Sequence, residues 1–455
     1  MVSIPRLVVA APASGHGKTT VATGLLAAFA ARGLTVAPFQ VGPDHIDPGH
    51  PAFAAGRSVR NLDPVLVGED RIGPLFAHGA QSAGLAVIEG VAGLYDGRAG
   101  GGDTGSTAQV AGLLAAPVIL VVDVAAQGRS VAALVHGFRT FGDVRIAGVI
   151  LNRVGSDRHE ALLRDACEEV GTPVLGALRH ADVLARPAQD IGPAPAAGRP
   201  APVCPPARLM QAAVDLDAVL AAARTAPPLH TAAWTPRDDD PVPGRPVVAL
   251  AGGPAFSSYP ETAELLTGAG AGVVTVDPLR DEALPAGTRA LVAGGGRPEA
   301  YAAELSANEP LRRVVASLAA AGAPVAAEGA GLLWLARSLD AAPMCGVLEV
   351  DGATTPAFTR GYRDAVALTG SPLAPAGTRV TGHEFHRTAV HPRSGLLLSP
   401  AAGAAWAWRG ADPEGFATPT LHASYLHLHW AGTPGMARRF VAAAAARSGP
   451  RSGRG

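Results

Sequence analysis

Lysine is nearly missing from this sequence: of 37 lysine and arginine residues, one is lysine, Lys18. A compositional drift toward Ala, Gly, Pro and Arg explains the loss elsewhere, because a surface charge tolerates arginine. A compact ammonium retained at Lys18 points to a use that a planar guanidinium does not fill. Cysteine is scarce too. Cys167, Cys204 and Cys345 stand far apart with no CxxC, which excludes a zinc cluster or a disulfide framework and fits a reducing, cytoplasmic setting. Excess charge of either sign is absent: 37 basic against 38 acidic residues give a net charge of −1, with 48% of residues hydrophobic and 16% charged. That balance excludes a disordered polyelectrolyte and a basic nucleic-acid binder. Long apolar runs are missing as well. The longest, residues 111–122, contains Gly112 and Pro117 and falls short of the ~18 residues a membrane helix needs, so no membrane partner is expected. The apolar start, residues 1–13, runs straight into Gly15-His16-Gly17-Lys18 and reads as a first strand rather than a signal peptide.

What is present is the pattern of two α/β domains. The 455 residues are too many for one ordinary core. Short unbroken apolar runs at 7–11, 35–40, 85–89, 117–122 and 146–151 alternate with helical patterns at 19–32, 107–114 and 130–141, which predicts a doubly wound parallel sheet. Residues 226–246 hold six prolines and the acidic run Asp238-Asp239-Asp240, and read as a linker. Strand patterns resume at 247–251, 272–276, 290–292 and 324–327, with helical ones at 261–266 and 311–321. The expected division is a first domain over 1–225, a linker over 226–246, a second α/β domain over 247–446 and a disordered tail over 447–455.

The strongest chemical signal lies where strand, glycine turn and helix meet, at Ser14-Gly15-His16-Gly17-Lys18-Thr19-Thr20. Backbone N–H groups at such a helix start wrap phosphates, Lys18 would neutralise them, and Thr19 would ligate Mg²⁺. The strict G-x-x-x-x-G-K-[ST] spacing fails at one place, since Pro12 stands where glycine is wanted. In an open parallel sheet the next strand ends, carrying Asp44 and Glu89, border the same crevice. Either is by itself a solvated loop acid, but beside a phosphate loop the metal role is favoured. Asn152, just past a strand, reads as a nucleotide-base contact or as a plain turn residue. Further along, residues 324–332 have the layout of a nucleophile elbow, with the following helix expected over 332–339. His427 and His429, and His383 and His386, form closely spaced pairs for which metal binding and polar packing both stand.

Together, Ser14 to Thr20, Val41-Gly42-Pro43-Asp44-His45-Ile46-Asp47-Pro48, Arg60-Asn61-Leu62-Asp63, Glu89-Gly90-Val91, Gly105-Ser106-Thr107-Ala108, Gly294-Gly295-Gly296, Gly382-His383-Glu384-Phe385-His386 and Tyr425-Leu426-His427 carry a resemblance over nearly the whole chain. They resemble the cobyrinic or hydrogenobyrinic acid a,c-diamide synthases of cobalamin biosynthesis. The resemblance implies an N-terminal P-loop domain with a doubly wound parallel sheet, similar to dethiobiotin synthetase, and a C-terminal class I glutamine amidotransferase-like α/β domain. It further implies a carbon–nitrogen ligase that uses ATP and Mg²⁺ to phosphorylate a side-chain carboxylate of the corrin ring, which ammonia then attacks. Asp44, Glu89 and Asp96 sit where the family keeps its metal-binding and catalytic acids, and His427 where it keeps the base of its glutaminase. The implied partners are the corrinoid substrate and glutamine or ammonia, with a homodimer as a compatible assembly.

Several positions depart from the family pattern. The family's elbow cysteine is replaced by Gly329, so no thiol stands there to form a thioester with glutamine. The H-x-E pattern is absent, since His427-Leu428-His429 ends in histidine. Gln40 stands for the usual lysine, His45 for the usual tyrosine, and Ser258 and Thr262 alter the segment around Tyr259-Pro260-Glu261. Four readings follow: a diamide synthase fed by free or partner-derived ammonia; a non-catalytic paralogue binding nucleotide or corrinoid; an ordinary enzyme with an isolated lesion at Gly329; and, least favoured, a partition-type ATPase.

Overall fold

The computed structural model describes residues 2–44, 52, 54–180, 205–395 and 402–446. The chain divides into two compact units, Met1–Thr235 and Pro236–Gly455. Their junction falls inside the proline-rich segment: the Trp234 N–H donates to the Pro74 carbonyl at 2.9 Å in the first unit, and the Val242 N–H to the Ala269 carbonyl at 2.9 Å in the second. His45, Asp47, Cys204 and the tail from 447 lie outside the described residues.

The first unit is built on seven parallel strands: β1 (Arg6–Ala10), β2 (Val36–Val41), β3 (Arg60–Leu62), β4 (Leu85–Glu89), β5 (Val118–Asp123), β6 (Ile146–Val154) and β7 (Val174–Arg179). Their order is β3-β2-β4-β1-β5-β6-β7. All five expected strands are present, and β1 and β4 are buried at every residue, as a sheet covered on both faces requires. β3 and β7 were not foreseen; β3 is three residues long and carries no period to read. Helix α1 (Lys18–Ala31) packs on the sheet and closes a core of Leu7, Val9, Leu25, Phe29, Val87 and Ile119. Arg6 lies in the first strand, fully buried. Its Nε donates to the Leu114 carbonyl at 2.6 Å and an Nη to the Pro227 carbonyl at 2.6 Å, and burial pushes its guanidinium down to about 10.

In the second unit five strands run parallel in the order Gly272–Val276, Val247–Ala251, Thr288–Ala293, Val325–Glu328 and Leu421–Ser424, with Phe416–Ala417 antiparallel at the edge. The two strands Asp351–Ala367 and Arg379–His391 pair as a long antiparallel hairpin in a separate sheet, absent from the sequence reading. The elbow helix spans Ala330–Leu335, four residues shorter at its end than expected. Its end is set by Ala336, whose backbone is extended at φ −60, ψ 170, and by Ser338–Leu339, which pairs with the hairpin instead.

Candidate functional site

The phosphate loop lies between β1 and α1. Gly17, at φ 96, precedes the helix with no side-chain cap, so no capping side chain takes up the first-turn N–H donors. Buried Lys18 bridges the turn: its Nζ donates to the Ala13 carbonyl at 3.1 Å and the Ala92 carbonyl at 2.5 Å. Ala92 holds a left-handed φ of 49, a strained backbone that presents this carbonyl. Burial pushes the ammonium below its ordinary value while the Glu89 and Asp96 carboxylates oppose the shift. Asp96 in turn accepts from the Gly93 N–H at 2.8 Å. Ser14, Gly15 and Thr19 are exposed, and His16 and Thr20 are half-buried.

Glu89 is the last residue of β4, level with Val9 on one side and Gln40 on the other, and is 8% exposed. The Thr19 hydroxyl donates to Glu89 Oε1, which brings two of the three expected metal ligands together. Asp44 lies past the end of β2; its carbonyl accepts from Asn61 Nδ2 at 2.7 Å, and the same amide nitrogen reaches the Gly42 carbonyl at 2.8 Å. The Arg60-Asn61-Leu62-Asp63 block therefore holds the loop that carries Asp44, a role its sequence does not announce. Thr107 acts likewise, its Oγ1 accepting from the Val91 N–H at 3.0 Å. Hydroxyl and carboxylate oxygens suit Mg²⁺, which takes few protein ligands and completes its shell with phosphate and water. No group of three His, Cys, Asp or Glu side chains that could hold a metal occurs among the described residues.

Asn152 is turned toward the loop. It is 1% exposed, its Nδ2 donates to the His16 carbonyl at 2.8 Å, and its Oδ1 is buried without a hydrogen-bond partner. A Cβ on Gly17 would lie 2.4 Å from that Nδ2, so this close approach requires glycine there. His16 is held from below by the Asp123 N–H, which donates to Nδ1 at 2.9 Å. Burial pushes its imidazole below the ordinary value, against the pull of Asp123.

The second unit's elbow has the expected strand, turn and helix, with Gly329 at φ 49, ψ −101 and its N–H donating to the Ser424 carbonyl at 2.8 Å. A Cβ there would meet His427 Cε1 at 2.4 Å and Nε2 at 2.6 Å: the imidazole reaches into the space above the elbow. His427 is 3% exposed, its Nδ1 is 3.7 Å from Glu328 Oε2, and its backbone exchanges two 2.9 Å hydrogen bonds with His383. Cys345 is no substitute thiol, since it is buried and burial raises its thiol far above the ordinary value. The paired histidines separate in space: His429 stacks on Tyr259 at 4.2 Å and lies 3.8 Å from Glu261, while His386 stacks on Tyr425 at 3.8 Å.

Two family models match these two units. Residues 7–193 match the CobQ/CobB/MinD/ParA nucleotide binding domain, and residues 247–435 match the CobB/CobQ-like glutamine amidotransferase domain. A hydrogenobyrinate a,c-diamide synthase of Streptomyces coelicolor is 54% identical, the match covering 96% of this chain and 97% of that protein. This chain belongs to the a,c-diamide synthase family. A Mycobacterium tuberculosis hydrogenobyrinate a,c-diamide synthase is 53% identical over 97% of this chain and 98% of its own length. A Synechococcus cobyrinate a,c-diamide synthase is 38% identical over 96% and 98%. Membership fixes the first unit as a nucleotide-binding domain and the second as amidotransferase-like. No described helix is long and apolar enough to cross a membrane.

Proposed function

We propose that this protein is a carbon–nitrogen ligase that amidates the a and c side-chain carboxylates of hydrogenobyrinic or cobyrinic acid, with ATP and Mg²⁺ as cofactors and ammonia as the nitrogen donor. Residues 1–225 supply the synthetase part and residues 247–446 the amidotransferase-like part. The observation that carries this reading is the contrast between a loop in which Thr19 donates to Glu89 and the Lys18 ammonium spans two backbone carbonyls, and an elbow with glycine at its turn.

A carboxylate is a poor acyl donor, and transfer of the γ-phosphoryl group to its oxygen creates an acyl phosphate with a good leaving group. Ammonia then attacks the acyl carbon and phosphate departs, leaving the amide. In this scheme Ser14, Gly15, His16, Gly17 and Thr20 wrap phosphates with backbone and hydroxyl donors, Lys18 offsets their charge, and Asn152 fixes the loop from beneath. Thr19, Glu89 and Asp44 would hold Mg²⁺, which supplies charge neutralisation of the phosphates. Glu89 and, less, Asp96 oppose the effect of burial on the Lys18 ammonium. His427 and Gly329 have no place in glutamine hydrolysis without a thiol.

The test is amidation by purified protein with ATP and Mg²⁺, read by mass spectrometry, with glutamine or ammonium as donor. Diamide from ammonium alone is expected. Diamide from glutamine would overturn the argument from Gly329, and tight nucleotide or corrinoid binding without product would favour a non-catalytic paralogue.

A further inference from the structure

The sheet edges of the two units are finished unequally. In the first unit the outer side of β7 is closed: the Asp215 N–H donates to the Leu175 carbonyl at 2.8 Å, and Gly176 bridges to Val214. In the second unit the edge strand Phe416–Ala417 is two residues long and buried, and Ala417 exchanges hydrogen bonds of 2.9 and 3.0 Å with Gly403. The opposite edge of that sheet, Gly272–Val276, is left bare. The Gly272 N–H donates to the Pro246 carbonyl at 3.0 Å and the Val276 carbonyl accepts from the Gly252 N–H at 2.8 Å, so Gly272, Val274 and Val276 turn their backbone groups toward the neighbouring strand Val247–Ala251. Val273 and Thr275 therefore turn theirs outward, and neither backbone has a hydrogen-bond partner on that side among the described residues. Thr275 is exposed, and Val274 is 42% exposed. Proteins blunt such an edge with charge, proline or a bulge. The run Gly272-Val273-Val274-Thr275-Val276 carries neither charge nor proline, and it pairs with its neighbour without a register shift.

We propose that this edge pairs with the same edge of a second copy of the chain, antiparallel about a two-fold axis at Val274. Self-complementarity selects that occupant. With Val274 on the axis, Val273 of each chain lies opposite Thr275 of the other, and each such pair exchanges both of its hydrogen bonds, so every outward N–H and C=O of the two residues is used. Val274 then faces Val274 in a non-hydrogen-bonded pair, where opposed side chains come closest and two β-branched chains pack. Charge agrees with this direction. A Cβ on Gly272 would meet Arg245 Cγ and Nε at 3.7 Å, so this exposed arginine lies beside the start of the strand, while Asp277, in a loose 3.7 Å pair with Arg280, follows its end. Antiparallel pairing sets Gly272 opposite Val276 and brings Arg245 of one copy toward Asp277 of the other; parallel pairing would set like charges together.

The test is the mass of the full-length protein by sedimentation equilibrium across the micromolar range, together with cross-linking. The edge is small, so a reversible dimer of micromolar Kd is expected rather than an obligate one. Thr275→Pro removes an outward N–H and leaves the bonds to the inner strand in place, and Val274→Lys sets two like charges opposite each other. Each is expected to raise the dimer Kd by about 10-fold or more, with circular dichroism unchanged. Val274→Cys reads the register without depending on any loss. Its two Cα atoms would lie about 4.5 Å apart across the axis, within reach of a disulfide, so mild oxidation is expected to give a covalent dimer on a non-reducing gel, whereas Val273→Cys and wild type give none. A wild type that stays monomeric throughout overturns the proposal. A dimer that both edge variants leave unchanged, and that Val274→Cys does not cross-link, overturns it too and moves the association to another face.

Discussion

The phosphate loop of the first unit and the elbow of the second are built alike: a buried parallel strand runs into a glycine of positive φ, and a helix starts there without a side-chain cap. Gly17 has φ 96 and Gly329 φ 49. At each, a Cβ would come within 2.4 Å of a side chain from another strand end or loop, Asn152 in one case and His427 in the other. The difference is in the groups around the turn. The loop keeps a hydroxyl bonded to a carboxylate and an ammonium held by two backbone carbonyls, whereas the elbow keeps only its backbone and the imidazole with Glu328 beside it. Backbone geometry of this kind is held by strand pairing and persists when the reactive side chain is gone; the chemistry does not.

The comparison is broken most severely at Lys18. Lys18→Ala is expected to lower ATP-dependent amidation by a factor on the order of 10²–10³, measured as kcat with ammonium, and Lys18→Arg to fall as far because the ammonium sits between two carbonyls. An active Lys18→Arg variant would show that its charge alone matters. Next, Gly17→Ala forces a methyl toward Asn152 at a left-handed φ, so stability drops by about 1–2 kcal/mol and nucleotide affinity falls with it, read by thermal melts and titration. Nucleotide affinity equal to wild type would show that the loop yields freely.

At the elbow the sign reverses. Gly329→Cys puts a thiol against His427 on a backbone already shaped for it, so glutamine-dependent diamide is expected to appear, at a cost of about 1 kcal/mol for the side chain at positive φ. Absence of any product from glutamine would mean that the imidazole does not withdraw. The smallest effect concerns Glu414, which supports the elbow by accepting from Ser424 Oγ at 2.8 Å and the Tyr425 N–H at 2.7 Å. Burial pushes its carboxyl from 4.5 up to about 7, so between those values the folded chain holds more protons than the unfolded and stability is lost as pH rises. Buried His422, pushed from 6.5 down to about 4, acts oppositely: stability is lost as pH falls through that range. Glu414→Gln removes the first slope, so its Tm is expected to rise by a few degrees more than wild type does between pH 4.5 and 6.5. Parallel Tm curves would place the titration elsewhere.

Much of this was legible from residue order. The single lysine marked the loop, the unbroken apolar runs gave the five first-unit strands, and the strand-to-helix step at Gly329 appeared as expected. Other features were not legible because their causes lie far away in sequence. β3 is too short for a pattern, and its Asn61 acts on carbonyls at Gly42 and Asp44. The elbow helix ends early because Ser338–Leu339 is recruited by the hairpin strand Asp351–Ala367. That hairpin itself mixes exposed and half-buried residues, so its alternation is blurred. Asn152, open as base contact or turn residue, spends its amide on the loop carbonyl of His16.

The sequence by itself determined the two α/β units, the phosphate loop and the missing elbow nucleophile, because these depend on local periodicity, on glycine and on residue identity at a turn. Tertiary structure alone decided that Thr19 meets Glu89, that Lys18 bridges two carbonyls, and that an imidazole stands against Gly329. The Thr19–Glu89, Lys18–Ala92 and His427–Gly329 approaches each join segments far apart along the chain, whose nearness comes from the order in which the strands pair.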